Sequence, residues 1–200
     1  MIRKYFNLAL VVTYSGTAAA ITGMALAING HFKYAAASIL VAGICDMLDG
    51  LIARRIKLTE AQKEFGVQAD SLADVVSFTV LPAVIFMTLG FTEWYHVIGY
   101  IMLVTAGITR LGHFNLGTST KTRTHYSGMP VTYTSAIFPT LYLIYAQSDW
   151  ANFKWAVLAV TVATAALFVS SLPFRKPSGG WLLALNLMAV ALIAVIIAYG

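Results

Sequence analysis

Four aspartates, Asp46, Asp49, Asp70 and Asp74, stand in a 200-residue chain that is 59% hydrophobic and only 10% charged. On a helix that advances about 100° per residue, Asp46, Asp49, Gly50, Ala53 and Arg54 are spaced to form one stripe. Gly66, Asp70, Ala73, Asp74 and Ser77 form a second. Each carboxylate at membrane depth costs about 2.5–3.5 kcal/mol on insertion scales, so the group needs compensation from cations, protons or metal ions. Only Arg54 shares the stripes, and protonation would leave a site of no evident use. Two divalent ions would balance all four charges, and an all-oxygen ligand set suits Mg²⁺ or Mn²⁺. No His or Cys shares the stripes, which argues against zinc. Gly50, Ala53 and Gly66 carry two compatible readings: room for a ligand above the helix surface, or close helix packing.

The elements that must position these residues are membrane helices. Apolar runs long enough to cross a ~30 Å hydrocarbon layer lie at about 8–29, 33–54, 67–90, 94–114, 130–147, 153–172 and 180–199. Without strand-like alternation, they predict an all-α polytopic membrane protein, a bundle of about seven (six to eight) transmembrane helices in one domain, 1–200. With the N-terminus cytoplasmic, Arg3, Lys4, Arg54, Arg55, Lys57, Lys63, Arg110, Lys121, Arg123, Arg175 and Lys176 fall inside. Only Lys33 and Lys154 fall outside, a strong positive-inside bias. The net charge of +5 therefore reads as a topology signal and an attraction to anionic membrane lipids, with no nucleic-acid partner implied. Asp46 lies about 12 Å from the cytoplasmic end of its helix, so the polar site opens to that side, where lipid headgroups and water-soluble reactants meet. Metals beside an arginine at that depth suggest phosphate chemistry on a lipid.

The connecting segments are short. Residues 55–66 predict a polar cytoplasmic stretch with a short interfacial helix, since Ile56, Leu58, Ala61 and Phe65 are loosely at helical spacing. Residues 115–129 and 173–179 carry turn residues and cations. Trp94, Tyr95, Trp150 and Trp155 suit the opposite interface. The N-terminus imitates a secretory signal, yet its apolar run continues through Ala25 and Leu26, as a first span does. Cys45 is the single cysteine and allows no internal disulfide.

The run Asp46-x2-Asp49-Gly50-x2-Ala53-Arg54, then Gly66-x3-Asp70-x3-Asp74, closely resembles the signature of the CDP-alcohol phosphotransferases. These are integral membrane enzymes that move a phosphatidyl or related group from a CDP-linked donor to an alcohol, releasing CMP. The Arg54–Gly66 spacing is longer than the family usually shows, and the added residues fall in the cytoplasmic connection. Within the family, Glu64–Phe78, Thr109–Leu116 and Tyr126–Val131 resemble the phosphatidylserine synthase subgroup in the same order, with Thr79, Gly112 and His113 as departures.

The resemblance implies CDP-diacylglycerol as donor, L-serine as acceptor, two Mg²⁺ or Mn²⁺ ions and a homodimer. It makes Asp46, Asp49, Asp70 and Asp74 the metal ligands, with Asp74 also the general base. Asp46, Gly50, Ala53, Arg54 and Gly66 become donor-binding positions, joined more loosely by Asn7 or Thr13. For the acceptor carboxylate Arg110 is the first choice, because a guanidinium can grip it bidentately. Lys121 and Arg123 are second choices, on a loop that could close over the site, and read first as solvated positive-inside cations. Ser77 reads either as an acceptor contact or as a serine bonded back to its own helix. His113 and His125 lack partners at ligand spacing, and Tyr126, Gly128 and Pro130 read as shaping the entry to the fifth span. Two rivals remain: the same reaction with glycerol 3-phosphate or inositol phosphate as acceptor, and a divalent-cation transporter.

Overall fold

Away from water a backbone must satisfy its own amides, which for single segments means helices, and the apolar runs obey this. A computed structural model describes residues 2–117, 125–175 and 180–200. Its helices are α1 (Leu8–Ile28), α2 (Phe32–Ala53), α3 (Glu60–Val75), α4 (Leu81–Thr88), α5 (Trp94–Gly117), α6 (Thr134–Gln147), α7 (Phe153–Phe168) and α8 (Gly180–Tyr199). A π-helical turn, Val76–Val80, joins α3 to α4 in one rod, Glu60–Thr88. The seven expected spans thus correspond to seven rods, and the chain is an all-α membrane protein.

Among the described residues, four rods are long and apolar enough to cross a membrane: Leu8–Ile28, Phe32–Ala53, Glu60–Thr88 and Trp94–Leu116. The α6 and α7 helices, of 14 and 16 residues, reach only about 21–24 Å. The expected span at 153–172 ends early, at Phe168. There the chain turns to a short antiparallel ribbon, β1 (His125–Ser127) with β2 (Pro173–Arg175). Backbone bonds extend it, from Gly128 N–H to Leu172 O at 2.9 Å and from Met129 N–H to Leu167 O at 3.0 Å. Gly128 has φ +80°, and a Cβ there would lie 2.5 Å from the Phe168 carbonyl oxygen, so glycine is required on both counts.

The 55–66 expectation needs correction. Residues 60–66 form no separate interfacial helix but are the first two turns of α3. Thr59 sets that start as a capping box: its hydroxyl accepts from Gln62 N–H, and the Gln62 side chain accepts from Thr59 N–H. The N-terminal segment packs beside it, with Tyr5 stacked on Phe65 at 4.7 Å and Gln62 donating to the Phe6 carbonyl at 3.4 Å.

A core of Leu40, Phe78, Phe86, Leu103, Phe138 and Phe168 links the rods. At the end of the bundle carrying the α5 N-terminus, Tyr95 stacks on Trp155 at 5.3 Å and buried His96 bonds the Lys154 carbonyl at 2.9 Å. Glycines let the helices close. A Cβ on Gly23 would lie 2.7 Å from Ser38 Cβ, one on Gly16 3.0 Å from Cys45 Cβ, and one on Gly107 2.6 Å from Thr79 Cγ2. Gly50 and Gly66 differ, since a Cβ on either would meet nothing within 4 Å.

Adding one methyl group should therefore have opposite effects at the two kinds of glycine. Gly23→Ala is expected to lower stability by about 1–3 kcal/mol through overpacking. Gly50→Ala and Gly66→Ala should hold or raise it, because alanine favours a helix by about 0.5–1 kcal/mol. Thermal unfolding of the detergent-solubilised variants checks both signs.

Candidate functional site

The two aspartate stripes face one another. Oxygens of Asp46, Asp49 and Asp70 all lie within 4.8 Å of one another. Asp74, buried one turn after Asp70, lines the same cavity as Asp46. All four line one small cavity with Thr13, Gly16 and Thr17 of α1, Ala42 of α2, and Ala73, Ser77 and Phe78 of the α3 rod.

Local structure explains the convergence. In α2 and α3, steps of three or four residues keep each carboxylate pair on one face. The π turn follows directly after α3, with Leu81 N–H bonding back to Val76 O. Pro82, just beyond it, lacks an amide proton and crowds the carbonyl four residues earlier, a recognised cause of such local irregularities. Ser77 lies in this turn and lines the cavity. The hydroxyl of Ser71, by contrast, bonds back to Val67 O at 3.0 Å, and Asn115 of α5 donates to it at 3.0 Å.

Among the described residues, each expected site residue has a definite place. The structure brings together Asp46, Asp49, Asp70, Asp74, Ser77 and Thr13. Thr13 is buried, and its hydroxyl donates to Asp49 Oδ2 at 2.5 Å. Asn7 is not among the cavity residues: it is the N-cap of α1, where its side-chain oxygen accepts from Leu10 N–H and its amide donates to Tyr5 O. The helical stripe stops at Ala53, and Arg54 caps α2 as an exposed residue. Gly50 and Gly66, with open space above them, flank the carboxylates in sequence. Arg110 is buried on α5 but does not line the cavity. Lys121 and Arg123 lie outside the described residues.

Thr17 and Gly16 were missed as site residues. Their signal was available, since Thr13, Gly16 and Thr17 stand three and four positions apart on one face of α1.

The electrostatics are one-sided. Among the described residues the ion pair present is Lys63–Glu60, at 2.8 Å on the surface, and none joins a cation to the four aspartates. Close-set carboxylate oxygens without His or Cys form a donor set that fits a hard divalent cation. Asp46, Asp49 and Asp70 have the geometry to hold one.

A family model described as CDP-alcohol phosphatidyltransferase matches residues 6–192. Over 187 residues the chain is 28% identical to the CDP-diacylglycerol–serine O-phosphatidyltransferase of Mycobacterium tuberculosis, covering 87% of this chain and 64% of that protein. It is 31% identical over 188 residues to the protein of the same name in Mycobacterium leprae, covering 87% and 61%. To the archaetidylserine synthase of Methanothermobacter thermautotrophicus it is 28% identical over 155 residues, covering 77% and 63%. The chain thus spans less than two thirds of the length of these curated relatives.

Proposed function

Because the chain belongs to the CDP-alcohol phosphatidyltransferase family, we propose that it transfers a phosphatidyl group from CDP-diacylglycerol to the hydroxyl of L-serine, giving phosphatidylserine and CMP. The observation that carries this reading is the convergence of Asp46, Asp49 and Asp70 within 4.8 Å, beside glycines with free space above them. Serine as acceptor is supported by the relatives' names, which agree on serine while differing in the lipid. Family membership gives the transporter alternative no support.

In this reading Asp46, Asp49, Asp70 and Asp74 hold two Mg²⁺ or Mn²⁺ ions, which when bound neutralise the pyrophosphate oxygens and favour departure of CMP. Gly50, Ala53, Gly66 and Arg54 admit the cytidine diphosphate, the glycines by leaving its volume free. Asp74 removes the proton from the serine hydroxyl. The serine oxygen bonds to the β-phosphorus of the donor as its proton passes to Asp74, the bond from that phosphorus to the CMP oxygen breaks, and CMP carries away the electron pair. A carboxylate is a weak base for an alcohol, so the proton leaves late, as negative charge builds on the phosphoryl oxygens. Ser77 lines the cavity beyond Asp74 and serves as an acceptor contact. Arg110 pairs with the serine carboxylate as the substrate fills the site. A buried intramembrane cation is itself a functional signal.

We place the chain in the membrane as a multi-pass domain of residues 1–200 with its N-terminus and site cytoplasmic, and as the homodimer the resemblance implies. Two contacts support a common side for the basic connections. The β1–β2 ribbon ties the segment before α6 to that before α8, and the Tyr5–Phe65 stack ties the N-terminus to the start of α3. Lys and Arg concentrate in these segments.

CMP release from purified protein supplied with CDP-diacylglycerol, Mg²⁺ or Mn²⁺, and one alcohol at a time tests the reaction. Release is expected with serine, and release only with glycerol 3-phosphate or inositol phosphate would reassign the acceptor. Asp74→Asn should lower turnover by about 10²–10⁴-fold while donor binding persists; unchanged turnover would remove Asp74 as base. Arg110→Ala should raise the serine KM by about 10–100-fold, the effect of losing a hydrogen bond to a charged group, and unchanged serine kinetics would remove Arg110 from the acceptor site.

A further inference from the structure

We propose that Thr13 is a positioning residue for the acidic cluster: its hydroxyl fixes the Asp49 carboxylate in the orientation that holds a divalent cation, and Gly16 lets α1 come close enough to do so. This deepens the proposed function and rests on its cation reading. Thr13 is 8% exposed and Asp49 7%, so solvent offers neither an easy substitute partner. The Thr13 hydroxyl faces two acceptors, Asp49 Oδ2 at 2.5 Å and the Ala9 carbonyl at 3.2 Å. It has one proton to give. The Ala9 carbonyl already belongs to the α1 hydrogen-bond ladder, whereas an O–H donated to a carboxylate is the shorter and stronger bond. The proton therefore goes to Asp49 Oδ2, and the remaining lone pairs of that carboxylate are left for a cation shared with Asp46 and Asp70.

Helix packing makes the contact possible. Contacts between α1 and α2 step in opposite directions along the two helices: Gly23 against Ser38, Gly16 against Cys45, then Thr13 against Asp49. Gly16 follows Thr13 by about one turn, and Cys45 precedes Asp49 by about one turn. At Gly16 even a methyl group would sit 3.0 Å from Cys45 Cβ. A larger residue there would move α1 outward at the level where the Thr13–Asp49 bond forms. Hydrogen-bonding partners of metal-ligating carboxylates affect metal affinity by about 10–100-fold. The inference differs from a direct nucleotide contact, because it requires Thr13 to matter when no nucleotide is present.

The experiment is a Mn²⁺ titration of the purified full chain, followed by the electron paramagnetic resonance of the free ion, without nucleotide or lipid substrate. Thr13→Val keeps the shape and removes the hydroxyl; it should weaken Mn²⁺ binding by about 10-fold or more. Thr13→Ser, which keeps the donor, should bind Mn²⁺ as the unsubstituted protein does, without the loss of about 10-fold or more expected of the valine variant. If the valine variant does not fold, the Thr13→Ala and Thr13→Ser pair carries the same comparison. Undiminished Mn²⁺ binding by the variant lacking the hydroxyl, with binding lost in Asp49→Asn, overturns the role of Thr13 while the cation reading stands. Weaker binding of a cytidine nucleotide with unchanged Mn²⁺ binding also overturns it, assigning Thr13 to the nucleotide. Absence of Mn²⁺ binding by the unsubstituted protein would remove the cation reading itself, and this inference with it.

Discussion

Four carboxyl groups packed between apolar helices constrain everything else in this molecule. Asp46, Asp49 and Asp70 have oxygens within 4.8 Å of one another, Asp74 lines the same cavity, and among the described residues no ion pair joins a cation to them. Coulomb repulsion between such groups is strong where the surroundings are of low dielectric. A proton or a cation must therefore lie among them. Thr13, Thr17 and Ser77 line the cavity with the carboxylates, beside Ala42, Ala73 and Phe78, and the oxygen donors among them suit a hard ion that arrives with phosphate.

The fold can be understood as the means of holding these charges together. Glycines at 16 and 23 let α1 close on α2, and Gly107 lets α5 close on the π turn. That turn carries Ser77 and packs Phe78 into the core. The capping box at Thr59 starts α3 early enough to pack beside the N-terminal segment. At Gly50 and Gly66 the same residue type does the opposite and keeps volume free. Closure and opening within one site thus depend on which face of a helix a glycine occupies.

Much of this was legible in the sequence, because helical periodicity alone puts Asp46 with Asp49 and Asp70 with Asp74 on shared faces, and apolar length alone marks the rods. Which rods meet was less legible. The cost of burying four carboxylates pointed to a meeting of the two stripes, while the part played by α1 was visible only as a loose family match at Asn7 or Thr13. Local hydrogen-bond choices escaped as well. The start of α3 at Glu60 was hidden because its first turns are polar, although Thr59 and Gln62 are capping-box residues at the right spacing. The end of α7 at Phe168 was hidden for the opposite reason, since apolar residues continue while the backbone bonds turn to Gly128 and Met129. No periodicity foretells a three-residue ribbon between segments far apart in the chain. The π turn left only Pro82 as a trace.

The most direct test of the central claim is the anomalous scattering of Mn²⁺ in crystals of the protein grown with that ion. The account predicts peaks bonded to carboxylate oxygens of Asp46, Asp49 and Asp70. Full Mn²⁺ occupancy elsewhere, with these three carboxylates bound only to protons or water, would contradict it.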